Sequence, residues 1–206
     1  MKGKPSFCPS RSVFIMLHFI KENLSTVTKM IVNQFGMMIF GLVMHMATSQ
    51  NDTLFLLAAV FSVCFYLFLE YSVAWEIGAR DKIKLDSGRI RYTPYKGACI
   101  SIVANLINFI LGVLIVISYF SLTPESRVLH VAQGPDWAVN MYGIASSIAR
   151  FIQSMYIGII QTYSPYNPVI FILIVFPAII ISGLGYFVAI KGKSILGMLG
   201  ISRKKK

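Results

Sequence analysis

Four apolar stretches recur along the chain, about 30–48, 54–77, 98–120 and 168–190, each close to the ~20 residues that a helix needs to cross a bilayer core. Their polar and small residues are not scattered. In the first, Gln34, Met38, Gly41, His45 and Thr48 follow a four-three-four-three spacing, which is one helical face. The second places Ser62, Tyr66 and Glu70 at steps of four, and the third places Ser101, Asn105, Asn108 and Gly112 on one side, continued by Ile115 and Tyr119. In the fourth, Ala178, Ser182, Gly185 and Ala189 form a stripe of small residues, and Pro177 predicts a bend in mid-span. Each stripe is expected to face the other helices, because small and amide side chains allow close approach and hydrogen bonding where lipid offers neither.

Two further segments read as amphipathic helices. From Ser12 to Lys29, Val13, Phe14, Leu17, Ile20, Leu24 and Val27 lie opposite Lys21, Glu22, Ser25 and Thr28, the pattern of a helix resting on a membrane surface or against a bundle. Met141 to Tyr163 has an apolar side and a polar side carrying Ser147, Arg150, Gln153, Ser154 and Gln161. A crossing here would put the basic C-terminal residues outside, so this segment is expected to lie at, or dip into, the outer face. Between the second and third spans, Glu76 and Arg80 are four apart and prolong a helix. Beyond them, Ile83-Lys84-Leu85 and Ile90-Arg91-Tyr92 alternate about Asp86-Ser87-Gly88, which predicts a small β-hairpin at the membrane face. The expected fold class is therefore all-α, a polytopic transmembrane helical bundle of four spans plus amphipathic helices, with a small cytoplasmic β-hairpin. Residues 1–29 are expected to form a cytoplasmic arm and amphipathic helix, 30–190 the bundle, and 191–206 a basic cytoplasmic tail; the loop from Ser121 to Gly143 is expected outside.

Composition fits this reading: of 206 residues, 56% are hydrophobic and 13% charged, too few polar groups to cover a soluble surface. The net charge of +11 would suggest nucleic acid, but its distribution does not. Five of the nineteen Lys and Arg lie between Lys2 and Lys29, six between Arg80 and Lys96, six between Lys191 and Lys206, and only Arg127 and Arg150 elsewhere. That is positive-inside clustering at helix ends. It predicts a multi-pass cell-membrane protein with both termini cytoplasmic, partnered by the lipid bilayer and its anionic headgroups rather than by nucleic acid. Cys8, Cys64 and Cys99 have no pairing or metal spacing, and His18, His45 and His130 stand apart, so no metal or other cofactor is expected. The apolar stretch Val13 to Ile20, broken by His18 and followed by no small-residue cleavage site, is not expected to be a signal peptide.

Chemistry could reside in the stripes. Glu70 and Asn105 each lie about seven residues, ~10 Å, from the basic end of their spans, so they are expected to meet. A charge at bilayer depth costs a few kcal/mol, so Glu70 is expected to carry its proton and donate to an amide. Asn108 lies deeper, and Gln34 and Ser182 enter at similar depth from the first and last spans, so the five would line one ligand or proton site. The competing reading of each is ordinary helix packing. No phosphate-binding glycine loop, nucleophile elbow or HExxH is present, and Gly183-Leu184-Gly185-Tyr186 lies inside a span, where a phosphate loop would be misplaced.

Trp75-Glu76-Ile77-Gly78-Ala79-Arg80-Asp81, Gly88-Arg89, Lys96-Gly97, Ala104-Asn105 with Asn108, Arg150-Phe151 with Met155-Tyr156, and Gly185-Tyr186 resemble a group of multi-pass integral membrane proteins from Gram-positive bacteria. The resemblance spans roughly Tyr71 to Tyr186; it implies a bacterial plasma membrane and brings no activity with it. Two function classes follow from the residues themselves. The leading expectation is a non-enzymatic accessory or interaction subunit, whose basic hairpin meets a cytoplasmic protein partner. Its rival is a small proton-coupled carrier using Glu70 and the asparagines, working as a homo-oligomer because four helices enclose little lumen.

Overall fold

The structure, a computed structural model, describes residues 11–124 and 134–192, with side chains from 18 onward. The arm expected over 1–10, residues 125–133 of the outer loop and the tail beyond 192 lie outside the described residues. Among the described residues every regular element is helical: α1 (Arg11–Thr48), α2 (Asp52–Asp86), α3 (Lys96–Ala104), α4 (Leu106–Ser121), α5 (Asp136–Ile152), a 3₁₀ turn (Ser154–Tyr156), α6 (Ile157–Tyr163), α7 (Ile170–Leu173) and α8 (Phe176–Ile190).

The amphipathic segment over 12–29 and the first apolar span form one helix, α1, without a break. At 1.5 Å per residue α1 is about 57 Å long and α2 about 52 Å, well beyond a hydrocarbon core of about 30 Å. A short turn joins them, and Asn51 caps α2 by accepting from the amides of Thr53 and Leu54 at 3.1 and 3.2 Å. Both helices run on from this turn to the other end, where the basic residues lie. There Lys29 reaches Glu76 at 3.1 Å and Arg80 pairs with the same carboxylate. The Lys82 side chain lies against Gly192 just past α8, so the C-terminal part of α2 and the end of α8 meet at this basic end.

One expectation is corrected here and one is widened. The span count of four becomes a range: among the described residues three helical stretches are long and apolar enough to cross a membrane, His18–Thr48, Asp52–Asp86 and Ile170–Ile190. Two bent pairs raise that number to as many as five. The third predicted span is broken at Asn105, with α3 and α4 at 60°, and the amphipathic 141–163 segment belongs to the other pair, bent by 82° about Gln153.

The correction is the β-hairpin, which does not form. Ile83-Lys84-Leu85 is the last turn of α2, held by the Lys82–Asp86 pair at 3.1 Å, and the residues after Ser87 make no strand. Gly88 does have positive φ, +71°, but as a helix terminator. Its amide bonds the Leu85 carbonyl at 2.9 Å and the Arg89 amide bonds the Lys84 carbonyl at 2.9 Å, the two bonds of a Schellman ending. Alternation over three residues is too short to outweigh a helix that already carries i,i+4 ion pairs into this stretch.

Packing follows the small-residue stripes. Ala178, Ser182, Gly185 and Ala189 are all buried, with α8 lying along α2 on one side and α3 on the other. The close approach is sharpest at Gly97, where a Cβ would stand 2.4 Å from the Tyr186 Cβ and 2.7 Å from the Ser182 carbonyl. Gly97→Val should therefore lower thermal stability in detergent by about 1–3 kcal/mol through overpacking. Gly36→Val, at a lipid-facing position with no neighbour within 4 Å, should not.

Candidate functional site

Three helix interruptions meet in the middle of the bundle. At Asn105 the backbone (φ −93°, ψ 9°) leaves the helical course while the side-chain amide donates to the Ser101 carbonyl at 3.0 Å, a local bond that competes with regular helix. At Gln153 (φ −97°, ψ 27°) α5 gives way to the 3₁₀ turn, pinned to α1 by the Ser154 hydroxyl donating to the Met38 carbonyl at 2.6 Å. At Ile174–Val175 the chain pauses before α8, because Pro177 has no N–H for the Leu173 carbonyl and its ring crowds that oxygen.

All three interruptions line one cavity together with Gln34, Tyr66, Asn108 and Tyr156. Its volume of about 10 Å³ admits a single water-sized guest. The polar groups around it are incompletely paired. Asn108 donates to the Asn105 side-chain oxygen, Oδ1, at 3.2 Å, yet its own side-chain oxygen has no protein partner. Neither amide atom of Gln153 has one, nor does the Tyr156 hydroxyl. Beside the cavity, fully buried Glu70 accepts from the Ser182 hydroxyl at 3.4 Å through one oxygen, while its other oxygen is unpartnered. Each such atom costs on the order of 1–3 kcal/mol unless a guest satisfies it, so their concentration at one place marks a site rather than general looseness.

The five residues expected at the site are all buried, but not in the expected pairing. Gln34, Asn105 and Asn108 line the cavity, whereas Glu70 meets Ser182. Asn105 spends its amide on Ser101 rather than on Glu70, and the Tyr66 hydroxyl reaches Asn105 instead. Sequence reading placed Tyr66 on the inward stripe without assigning it a role, and it missed Gln153 and Tyr156. The apolar side of 141–163 is the exposed one, with Met141, Ile144, Ile148 and Phe151 turned outward, and Gln153 continues the buried Ala145–Ala149 stripe by a step of four. Arg150 stays exposed, while Ala145 and Ala149 face the bundle.

A second polar cluster closes the basic end. Asp81, 3% exposed, accepts from Lys96 at 2.7 Å and from the Tyr186 hydroxyl at 3.0 Å, tying α2, α3 and α8 together. Among the described residues, no three His, Cys, Asp or Glu side chains are grouped to hold a metal. Comparison of the chain with protein-family models, with curated proteins and with solved structures finds no match.

Breaking a buried pair from one side leaves an uncompensated charge. Lys96→Met should thus cost about 3–5 kcal/mol of stability, measured by thermal unfolding in detergent. Adding Asp81→Asn to the same chain should restore most of it, since the stranded charge is then gone; equal losses in the single and double variants would refute this role for the pair.

Proposed function

We propose that this protein is a proton-linked membrane carrier, with Glu70 as its proton-bearing group and the cavity at the three helix interruptions as its polar site. One observation carries the reading: the unpartnered atoms of Glu70, Asn108, Gln153 and Tyr156 gather where three helices break. An ionisable residue within an apolar bundle is costly and is retained for ion or substrate pathways, and interrupted helices are the means by which a bundle exposes polar groups at membrane depth. A cavity sized for one water suits a proton relay. The rival accessory-subunit reading drew on the lack of a catalytic constellation and on a compact polar loop at the basic end, and that loop is present as a helix ending rather than a β-hairpin.

The basic end faces the cytoplasm of a cell membrane in this reading, because Lys29, Arg80, Lys82, Lys84, Lys96 and Lys191 lie there and the Asn51 turn between α1 and α2 has no basic residue. Both ends of the described chain are on that side. Single cysteines in a background without Cys8, Cys64 and Cys99 test the orientation. Ser49→Cys should react with an impermeant maleimide added to intact cells and Ser87→Cys should not; the reverse pattern would invert the protein in the membrane.

Proton linkage is tested with proteoliposomes adsorbed to a solid-supported membrane. A pH jump should produce a transient charge movement in the wild type. Glu70→Gln, which preserves shape, should abolish it while the protein stays folded. Identical transients from both proteins would remove Glu70 from the mechanism.

A further inference from the structure

We infer that the site takes its substrate sideways from the bilayer, and that this substrate is an uncharged amphipathic molecule: an apolar body ending in one hydrogen-bond donor, such as an alcohol. The inference rests on the carrier reading and names its substrate class. A groove of about 150 Å³ runs between α1 and the α3–α4 bend, far roomier than the central cavity of about 10 Å³. Its walls are Ile31, Phe35, Met38, Ala104, Ile107 and Ile152. Ile31, Phe35 and Ile107 are exposed, so on an apolar helix surface the groove opens to lipid chains rather than to water.

The groove also has polar lining. Gln34 and Asn108 line it and the central cavity alike, so the two spaces share these two amides. Asn108, 4% exposed, spends its N–H on Asn105 and leaves its oxygen without a partner. A plain hydrocarbon chain could fill the groove but would leave that acceptor unsatisfied. A guest with a terminal donor satisfies both parts once the buried Asn108 amide turns its oxygen toward the groove, with the apolar body along α1 and the hydroxyl on that oxygen. The single-water cavity then stays free for the proton on the Glu70 side. Charged guests are disfavoured, since neither Gln34 nor Asn108 supplies a counter-charge.

Photolabelling of the full chain in phosphatidylcholine vesicles tests this with two probes, octanol carrying a diazirine and the matching diazirine alkane without the hydroxyl. The alcohol should label peptides containing Ile31 to Met38 and Ala104 to Asn108, in competition with unlabelled octanol. Asn108→Leu should reduce alcohol labelling about fivefold, the effect of one lost hydrogen bond, and leave alkane labelling unchanged. Ile107→Trp, at the exposed mouth, should block both probes without disturbing the core. Equal labelling by the two probes, insensitive to Asn108→Leu, would overturn the inference and leave a groove filled by lipid tails only. Labelling does not depend on the proton on Glu70, so Glu70→Gln should retain it. A chain that labels as described but gives no Glu70-dependent charge movement would contradict the carrier reading while leaving the groove's ligand in place.

Discussion

A hydrocarbon surround cannot hydrogen-bond, and the rest of this structure depends on that constraint. Every amide, hydroxyl and carboxyl in the apolar helices must find a partner inside the protein or be left with none. Most find one locally: Ser62 and Ser118 donate to carbonyls one turn back, and Asn105 does the same to Ser101 at the expense of a straight helix. Among the described residues the exceptions, His45 apart, collect in or beside one cavity. Where the backbone breaks and the side chains remain unsatisfied at the same depth, one polar site is the economical account of both.

The same helices bear two polar layers. On α2, Asp81 and Glu70 lie eleven residues apart, three turns along one buried face. Asn105 ends α3 and Lys96 begins it; Ser182 and Tyr186 are one turn apart on α8. One layer, Asp81 with Lys96 and Tyr186, is fully paired and holds a charge that would otherwise be prohibitive in the interior. The other, Glu70 with Ser182 and the cavity, is held loosely, by a single bond of 3.4 Å. A satisfied layer beside an unsatisfied one, on a shared set of helices, is what a rigid support for a working site requires. It also means that a movement of α8 against α2 and α3 would be felt in both layers.

Much of this was legible in the sequence, because period-3.6 stripes survive as long as a helix is continuous. Gln34, Met38 and Gly41, then Ser62, Tyr66 and Glu70, then Ser101 through Ile115, and the stripe from Ala178 to Ala189 are buried as their spacing indicated. What periodicity could not show was where the period is interrupted. Asn105 sat on the right face, but its bond to Ser101 and the 60° bend depend on tertiary packing. Gln153 was assigned to the wrong environment because α5 packs through its small residues, Ala145 and Ala149, and leaves its large apolar side exposed. Gly88 takes a left-handed backbone in a helix ending instead of the expected hairpin turn, since a glycine after Asp-Ser suits either. The orphaned atoms have no sequence signature, because they are defined by what three separate segments fail to supply.

The claim at the centre of this account is that water or a proton reaches the helix interruptions, and amide hydrogen exchange of the protein in lipid nanodiscs measures it most directly. Amides just after the breaks, at 106–108 and 154–156, should exchange within minutes. Amides at 58–66, in the uninterrupted helix α2, should stay protected for hours. Protection as complete at the breaks as in α2 would mean a dry, closed interior, and it would contradict the account.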